Sequence, residues 1–168
     1  MDFFLIHGLG EFILTHPNLQ IPKKEKIYSV NEGNAKNWDK QSTEYVTNCK
    51  FPTDGSSPKS LRYIGSMVAN VHRTLLYGSI FLYPGNKKNP NGKPKFFLHI
   101  TRIYLCILIR VLSEVFPMSY LVEQARGQSF TGKKRALDLF PRKIHEKSSI
   151  FLGSYDEVEE IKLLYKAT

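Results

Sequence analysis

Residues 64–84, IGSMVANVHRTLLYGSIFLYP, change hydrophobic period once, and that change decides the fold class. Ile64, Met67, Val68, Val71 and Leu75 recur at three and four, the spacing that lines one face of a helix. Gly78 closes the pattern. Ile80-Phe81-Leu82-Tyr83 then runs unbroken to Pro84, as a buried strand does. A helix handed straight to a strand is the building unit of an α/β layered domain.

The same alternation extends in both directions. Upstream, Glu11 to Leu14 reads as a strand ended by His16-Pro17. Lys26 to Val30 reads as a second strand that stops at the turn Asn31-Glu32-Gly33-Asn34. Trp38 to Phe51 reads as a short helix with Tyr45 and Val46 on its inner side, and Pro52 to Ser60 as loop. Downstream, Gly85 to Lys93 is dense in Gly, Asn, Pro and Lys and is expected to turn. Pro117 suits the first turn of a helix whose apolar face carries Met118, Leu121, Val122 and Ala125. Ser149 to Leu152 is a further strand. Ser154-Tyr155-Asp156-Glu157 has capping-box form ahead of Val158, Ile161 and Tyr165 at helical spacing.

Composition narrows the function classes. The 168 residues suit one domain or two very small ones, and 42% hydrophobic content is enough for a packed core. A net charge of +9 favours anionic partners such as nucleic acid, acidic lipid or a phosphorylated metabolite. The lysine pairs Lys23-Lys24 and Lys87-Lys88 lie in loops without aromatic interleaving, which argues against nucleic acid. Cys49 and Cys106 form no CxxC pattern, so neither a disulfide scaffold nor a zinc site is expected, and a reducing compartment fits. The first residues lack the basic region and apolar length of a signal peptide. The most apolar run, Phe96 to Ile109, contains His99 and Arg102 and is too short to span a bilayer. The expectation is a soluble, unsecreted protein that binds neither membrane nor nucleic acid.

No catalytic motif stands out. Gly8-Leu9-Gly10 lacks the third glycine of a dinucleotide loop, no Walker lysine is present, and the five histidines show no metal-ligand spacing. His72 reads as a hydrogen-bonded core residue, and the acids from Asp156 to Glu160 as a helix N-terminal cluster. The informative pattern is positional. Asn31, Arg62, Tyr63, Tyr83 and Lys93 each sit where a regular element meets a loop, which is where α/β domains assemble ligand sites. Two cations, two phenols and an amide can hold a phosphate and sugar hydroxyls, Arg as a planar fork and Lys as a point charge.

Those positions lie inside longer stretches that resemble fructose-1,6-bisphosphatase. The stretches are 27–39 (IYSVNEGNAKNWD), 50–69 (KFPTDGSSPKSLRYIGSMVA), 71–78 (VHRTLLYG), 80–84 (IFLYP), 90–93 (PNGK), Glu114 with Pro117-Met118, and 151–154 (FLGS). The Asn-Glu-Gly-Asn form is similar to the plant cytosolic members of that family. The resemblance covers Leu9 to about Lys166 apart from 94–109, and residues 1–8 stand outside it as a leader.

The resemblance implies the C-terminal domain of the sugar-phosphatase fold, a layered mixed sheet flanked by helices. It implies a cytoplasmic, Mg2+-dependent hydrolase that releases the 1-phosphate of fructose 1,6-bisphosphate in gluconeogenesis and sucrose synthesis. Asn31, Tyr63, Tyr83 and Lys93 match substrate-binding positions, and Arg62 matches an arginine that reaches a neighbouring subunit, so a homo-oligomer, a homotetramer in the intact family, is implied. The backbone around Met67 matches a sugar contact. Arg110 matches an arginine near the reacting phosphate, and Glu114 matches a metal ligand. The N-terminal half of the family, with most of its metal carboxylates, has no counterpart in these residues, so no catalytic residue is assigned and the chain is expected to be inactive alone. A non-catalytic phosphosugar-binding or subunit-interaction module, or a sedoheptulose-1,7-bisphosphatase, are the alternatives.

Four departures from the family pattern carry structural expectations: Asn70 for Asp, Ser79 for Gly, Ser113 for Tyr and Arg126 for Gly. Asn70 is expected to loosen Arg62, and Arg126 to strain a turn that favours glycine. Residues 94–109 intervene where the family has about one residue. They read as translated intron, and 1–8 as a misplaced start or a fragmentary gene model.

Overall fold

The computed structural model describes residues 2–85 and 110–167. Lys93, most of the expected turn before it and the apolar segment 94–109 lie outside the described residues.

A five-stranded mixed sheet carries the domain, in the order β4-β3-β5-β7-β6. Its members are β3 (Ile27–Ser29), β4 (Ser60–Leu61), β5 (Ile80–Tyr83), β6 (Gln128–Phe130) and β7 (Ile150–Gly153). β3 runs parallel to both β4 and β5, whereas β7 runs antiparallel to β5 and to β6. Among the described residues four α-helices flank the sheet: α1 (Lys40–Lys50), α2 (Met67–Tyr77), α3 (Phe116–Gln124) and α4 (Tyr155–Lys166). The layered mixed-sheet architecture expected from the sequence is the one observed.

Side-chain alternation along the strands explains the two cores. Ile80 and Leu82 of β5 and Phe151 of β7 bury on one face, with Tyr45, Val46, Val158 and Ile161 of α1 and α4. Phe81 of β5 and Ile150 and Leu152 of β7 bury on the other, with Val71, Val122 and Ala125 at α2 and α3. Strands covered on both faces are apolar at every position, hence the unbroken run Ile80-Phe81-Leu82. Phe130, Phe151 and Tyr165 close the first core as an aromatic cluster with centroids 5.5–6.2 Å apart.

Several local expectations are corrected. α2 begins at Met67 with Ser66 as N-cap, so Ile64 lies before it, and both Ile64 and Val68 are exposed. His72 is exposed on α2 rather than buried in the core. Leu121 is exposed as well, leaving Val122 and Ala125 to anchor α3. The capping box does not close at α4. The Ser154 hydroxyl instead accepts from the Ser79 amide at 3.2 Å, and Glu157 is fully buried. β4 and β6 had no strand signature. The expected strand Glu11 to Leu14 continues as β2 (Glu11–His16) and pairs antiparallel with β1 (Asp2–Ile6). This hairpin forms a separate two-stranded sheet, with Phe4, Leu9, Phe12, Ile13 and Leu14 exposed.

Candidate functional site

The direction of the strands positions the site. β3, β4 and β5 are mutually parallel, so their carboxyl ends open on one edge of the sheet. Asn31 lies two residues past β3, Tyr63 two past β4, and Tyr83 is the last residue of β5. That edge is where open α/β sheets bind ligands. β7 enters the sheet from the same edge, because its first residue, Ile150, pairs with Tyr83.

Burial pushes the Tyr83 phenol up to about 12, with the nearby Tyr63 phenol and Glu114 carboxylate adding to the shift. Burial also raises Tyr63. Tyr63, Tyr83 and Glu114, which come from three separate sequence segments, therefore share one electrostatic neighbourhood. Both phenols stay protonated at neutral pH and can donate hydrogen bonds.

Arg110 and Glu114 are joined by a single turn. The Arg110 amide donates to Glu114 Oε2 at 2.7 Å, and residues Val111–Val115 form a π-helical turn between them that runs into α3. Pro117 sits in the first turn of α3, where its missing N–H costs nothing. Arg110 is exposed and pairs antiparallel with Lys147 through an isolated bridge, while the Val111 amide donates to the Glu146 carbonyl at 2.9 Å.

Asn31 and Arg62 stand on the same edge but make local bonds. Asn31 Oδ1 accepts from the Gly33 amide at 3.1 Å, capping the 3₁₀ turn Glu32–Asn37, and Arg62 Nη1 donates to its neighbour's carbonyl, Leu61 O, at 3.0 Å. Met67 opens α2 and packs half-buried on the same core cluster as Tyr83. Asn70 does not face the Arg62 side chain. Its Oδ1 accepts from Arg73 Nη2 at 3.2 Å and from the Ile64 amide at 3.3 Å, and its amide nitrogen donates to Ser66 O at 2.7 Å. Arg73 reaches Ser29 Oγ at 2.6 Å and the Arg62 carbonyl, so Asn70 acts on Arg62 through the backbone that Arg73 holds.

The donor set can hold an anion with hydroxyl groups: guanidinium at Arg62 and Arg110, ammonium at Lys147, phenol at Tyr63 and Tyr83, amide at Asn31. A divalent cation fits less well. Glu114 offers one carboxylate, a hard cation takes about six oxygen ligands, and among the described residues no three His, Cys, Asp or Glu side chains converge as ligands. Lys147 was missed by sequence reading. Its signal was available, since it lies three residues before the apolar run Ile150-Phe151-Leu152, at a loop–strand boundary like the others.

Fold and edge together define an α/β domain that gathers phenol, guanidinium and amide groups at the carboxyl ends of its parallel strands. The chain belongs to the fructose-1,6-bisphosphatase family: residues 21–166 match the C-terminal domain of fructose-1-6-bisphosphatase. It is 70% identical over 165 residues to "Fructose-1,6-bisphosphatase, cytosolic" of Solanum tuberosum, covering 98% of this chain and 44% of that protein. The proteins of the same name from Spinacia oleracea and Pisum sativum are each 69% identical over the same length and coverage. The chain thus spans less than half the length of these curated relatives.

Proposed function

We propose that this chain is the sugar- and phosphate-holding part of a fructose-1,6-bisphosphatase, an enzyme that hydrolyses the 1-phosphate of fructose 1,6-bisphosphate to give fructose 6-phosphate and phosphate. The observation that carries it is the gathering of Tyr63, Tyr83, Arg110 and Glu114 on the sheet edge onto which Asn31 and Arg62 also open. In this reading Asn31, Tyr63 and Tyr83, together with Lys93, hold the sugar and its distal phosphate, and the backbone at Met67 lines the sugar. Arg110 faces the phosphate that leaves. Arg62 extends towards the site of a second copy in a homo-oligomer. The cytosolic names of the relatives support a cytoplasmic location, and no helix among the described residues is long and apolar enough to cross a membrane.

The cation is Mg2+ in this proposal, with Glu114 as one of its oxygen ligands. One carboxylate does not complete such a site, so activation of the attacking water is not a chemistry that these residues supply by themselves. What they supply is orientation. Phenols and cations fixed on rigid strand ends place the phosphorylated sugar before chemistry, a contribution that binding geometry alone makes large.

Mixing the purified chain with the remaining N-terminal part of the Solanum tuberosum enzyme tests the proposal. The expected result is Mg2+-dependent phosphate release from fructose 1,6-bisphosphate by the mixture and none by the chain alone. A chain that fails to bind fructose 6-phosphate and fails to restore turnover would sink it. Faster release from sedoheptulose 1,7-bisphosphate would move the substrate assignment to that sugar.

A further inference from the structure

We propose that Lys147 is a phosphate-binding residue of this site, the ammonium half of a cation pair with Arg110. The placement comes from the sheet. β7 begins at Ile150 opposite Tyr83, the last residue of β5, so the segment leading into β7 passes over the edge where the site opens. Lys147 lies in that segment. Its backbone bridges Arg110 antiparallel, and Val111 N to Glu146 O at 2.9 Å fixes the register beside it. Residues directly opposite in an antiparallel pair project to the same side, so the two cations stand together.

Charge supplies the second argument. Glu114 is tied to this pair through its 2.7 Å bond from the Arg110 amide. Lys147 is half-buried directly opposite Arg110. Two cations accompany one carboxylate, so this stretch of the sheet edge carries excess positive charge with the Tyr83 phenol near Glu114. Two like charges kept side by side, one of them half-buried, cost stability unless an anion neutralises them. A phosphate dianion does so, with the Arg110 fork giving paired hydrogen bonds and Lys147 a movable point charge.

Assignment of this phosphate as the one removed from the sugar rests on the function proposed above; recognition of phosphate itself does not. Two probes separate them. Inorganic phosphate is titrated into the 168-residue chain and followed by two-dimensional NMR, for the parent and for Lys147→Met, Lys147→Gln, Lys147→Arg and the distant control Lys166→Met. The expected loss of phosphate affinity is about tenfold for Lys147→Met and Lys147→Gln, the size of one charge-assisted hydrogen bond, with Lys147→Arg within about threefold of the parent. Shifts should centre on residues 110–114 and 147. Unchanged affinity in both neutral variants, equal loss in Lys166→Met, or no phosphate binding by the folded parent would each overturn the assignment. Fructose 6-phosphate and fructose 1,6-bisphosphate form the second arm. A parent that binds phosphate through Lys147 but neither sugar phosphate leaves the Lys147 site standing and removes the bisphosphatase reading.

Discussion

At the scale of single residues, two positions depart from glycine where the backbone wants glycine. Arg126 has φ 65° and Ser79 φ 156°. A side chain in the left-handed region costs about 1–2 kcal/mol, and glycine removes that cost at the expense of some unfolded-state entropy. Arg126 makes the helix-end turn after α3, its amide bonded to Glu123 O at 3.0 Å, and replacement by glycine disturbs no described hydrogen bond of its side chain. Arg126→Gly should therefore stabilise by about 1 kcal/mol, read as a rise of about 2–4 °C in the melting midpoint. Ser79 is different because its hydroxyl bonds Thr74 Oγ1 at 2.7 Å in a fully buried site. Losing that bond leaves Thr74 with one partner fewer, at about 1 kcal/mol, so Ser79→Gly should fall close to neutral. A destabilised Arg126→Gly, or a gain at Ser79 larger than at Arg126, would contradict the backbone account. The sequence showed both departures but only the torsion angles separate them. It marks Asn31 and Tyr83 for the same reason it could have marked Lys147: each flanks a strand long enough to read, whereas Tyr63 is marked by the helical period that starts beside it. That Lys147 faces Arg110 was not legible, because the pairing joins segments 37 residues apart, 147 minus 110.

At the scale of elements, α4 is held by a buried charge rather than by the capping box its first residues spell. Glu157 is fully buried and accepts from Tyr45 of α1 at 2.6 Å and from Lys59, whose side chain is 14% exposed. Lys59 also reaches Glu160 at 3.4 Å, and Lys24 reaches Glu160 at 2.6 Å. Removing one member of a buried pair strands the other, at about 3–5 kcal/mol, whereas removing the whole set for apolar groups is far less costly. Lys59→Met and Glu157→Leu should each destabilise in urea unfolding by that order. The combination Tyr45→Phe, Lys59→Met and Glu157→Leu should recover most of the loss, since it leaves no stranded partner. Single variants costing under about 1 kcal/mol would show the pair to be hydrated and unimportant. The capping reading failed because α1 packs across the start of α4, a tertiary contact that local spacing does not encode. A clue was present: Glu157 stands four residues before the core residue Ile161, on the same helix face.

At the scale of the whole molecule, the layered α/β class was legible because the period changed from helical to strand-like at Gly78, and both sheet faces needed apolar cover. The short strands β4 and β6 were not, since two or three residues carry no periodicity. The first core holds the phenols of Tyr28 and Tyr45 with Tyr165 packed against it, Tyr83 packs against the second, and this sets a property of the entire fold. Tyr28, Tyr45, Tyr63, Tyr83 and Tyr165 are all pushed up, each first by burial, with Tyr83 at about 12. Burial also pushes the Cys49 thiol up to about 11. Unfolded phenols titrate near about 10, so above that pH the unfolded chain has released protons that the folded chain still holds. Stability is then fully present below about pH 10 and falls as pH rises towards 12, by up to about 1.4 kcal/mol per unit for each such phenol. Lys24, raised by its bond to Glu160, acts in the same direction, and Lys147, lowered by burial and Arg110, acts against it. Arg73, lowered by burial and Arg62, acts against it as well, but two opposing cations do not offset five phenols. Urea unfolding between pH 8 and 11.5, with phenolate absorbance followed in parallel, should show stability collapsing in one steep alkaline step. With the exposed Tyr77, Tyr120 and Tyr155 replaced by Phe, the phenolate absorbance of Tyr28, Tyr45, Tyr83 and Tyr165 should appear with unfolding and not before it. Gradual ionisation near pH 10 of that folded variant would mean that water reaches Tyr28, Tyr45, Tyr83 or Tyr165, and the packing of the double core would be wrong at those tyrosines.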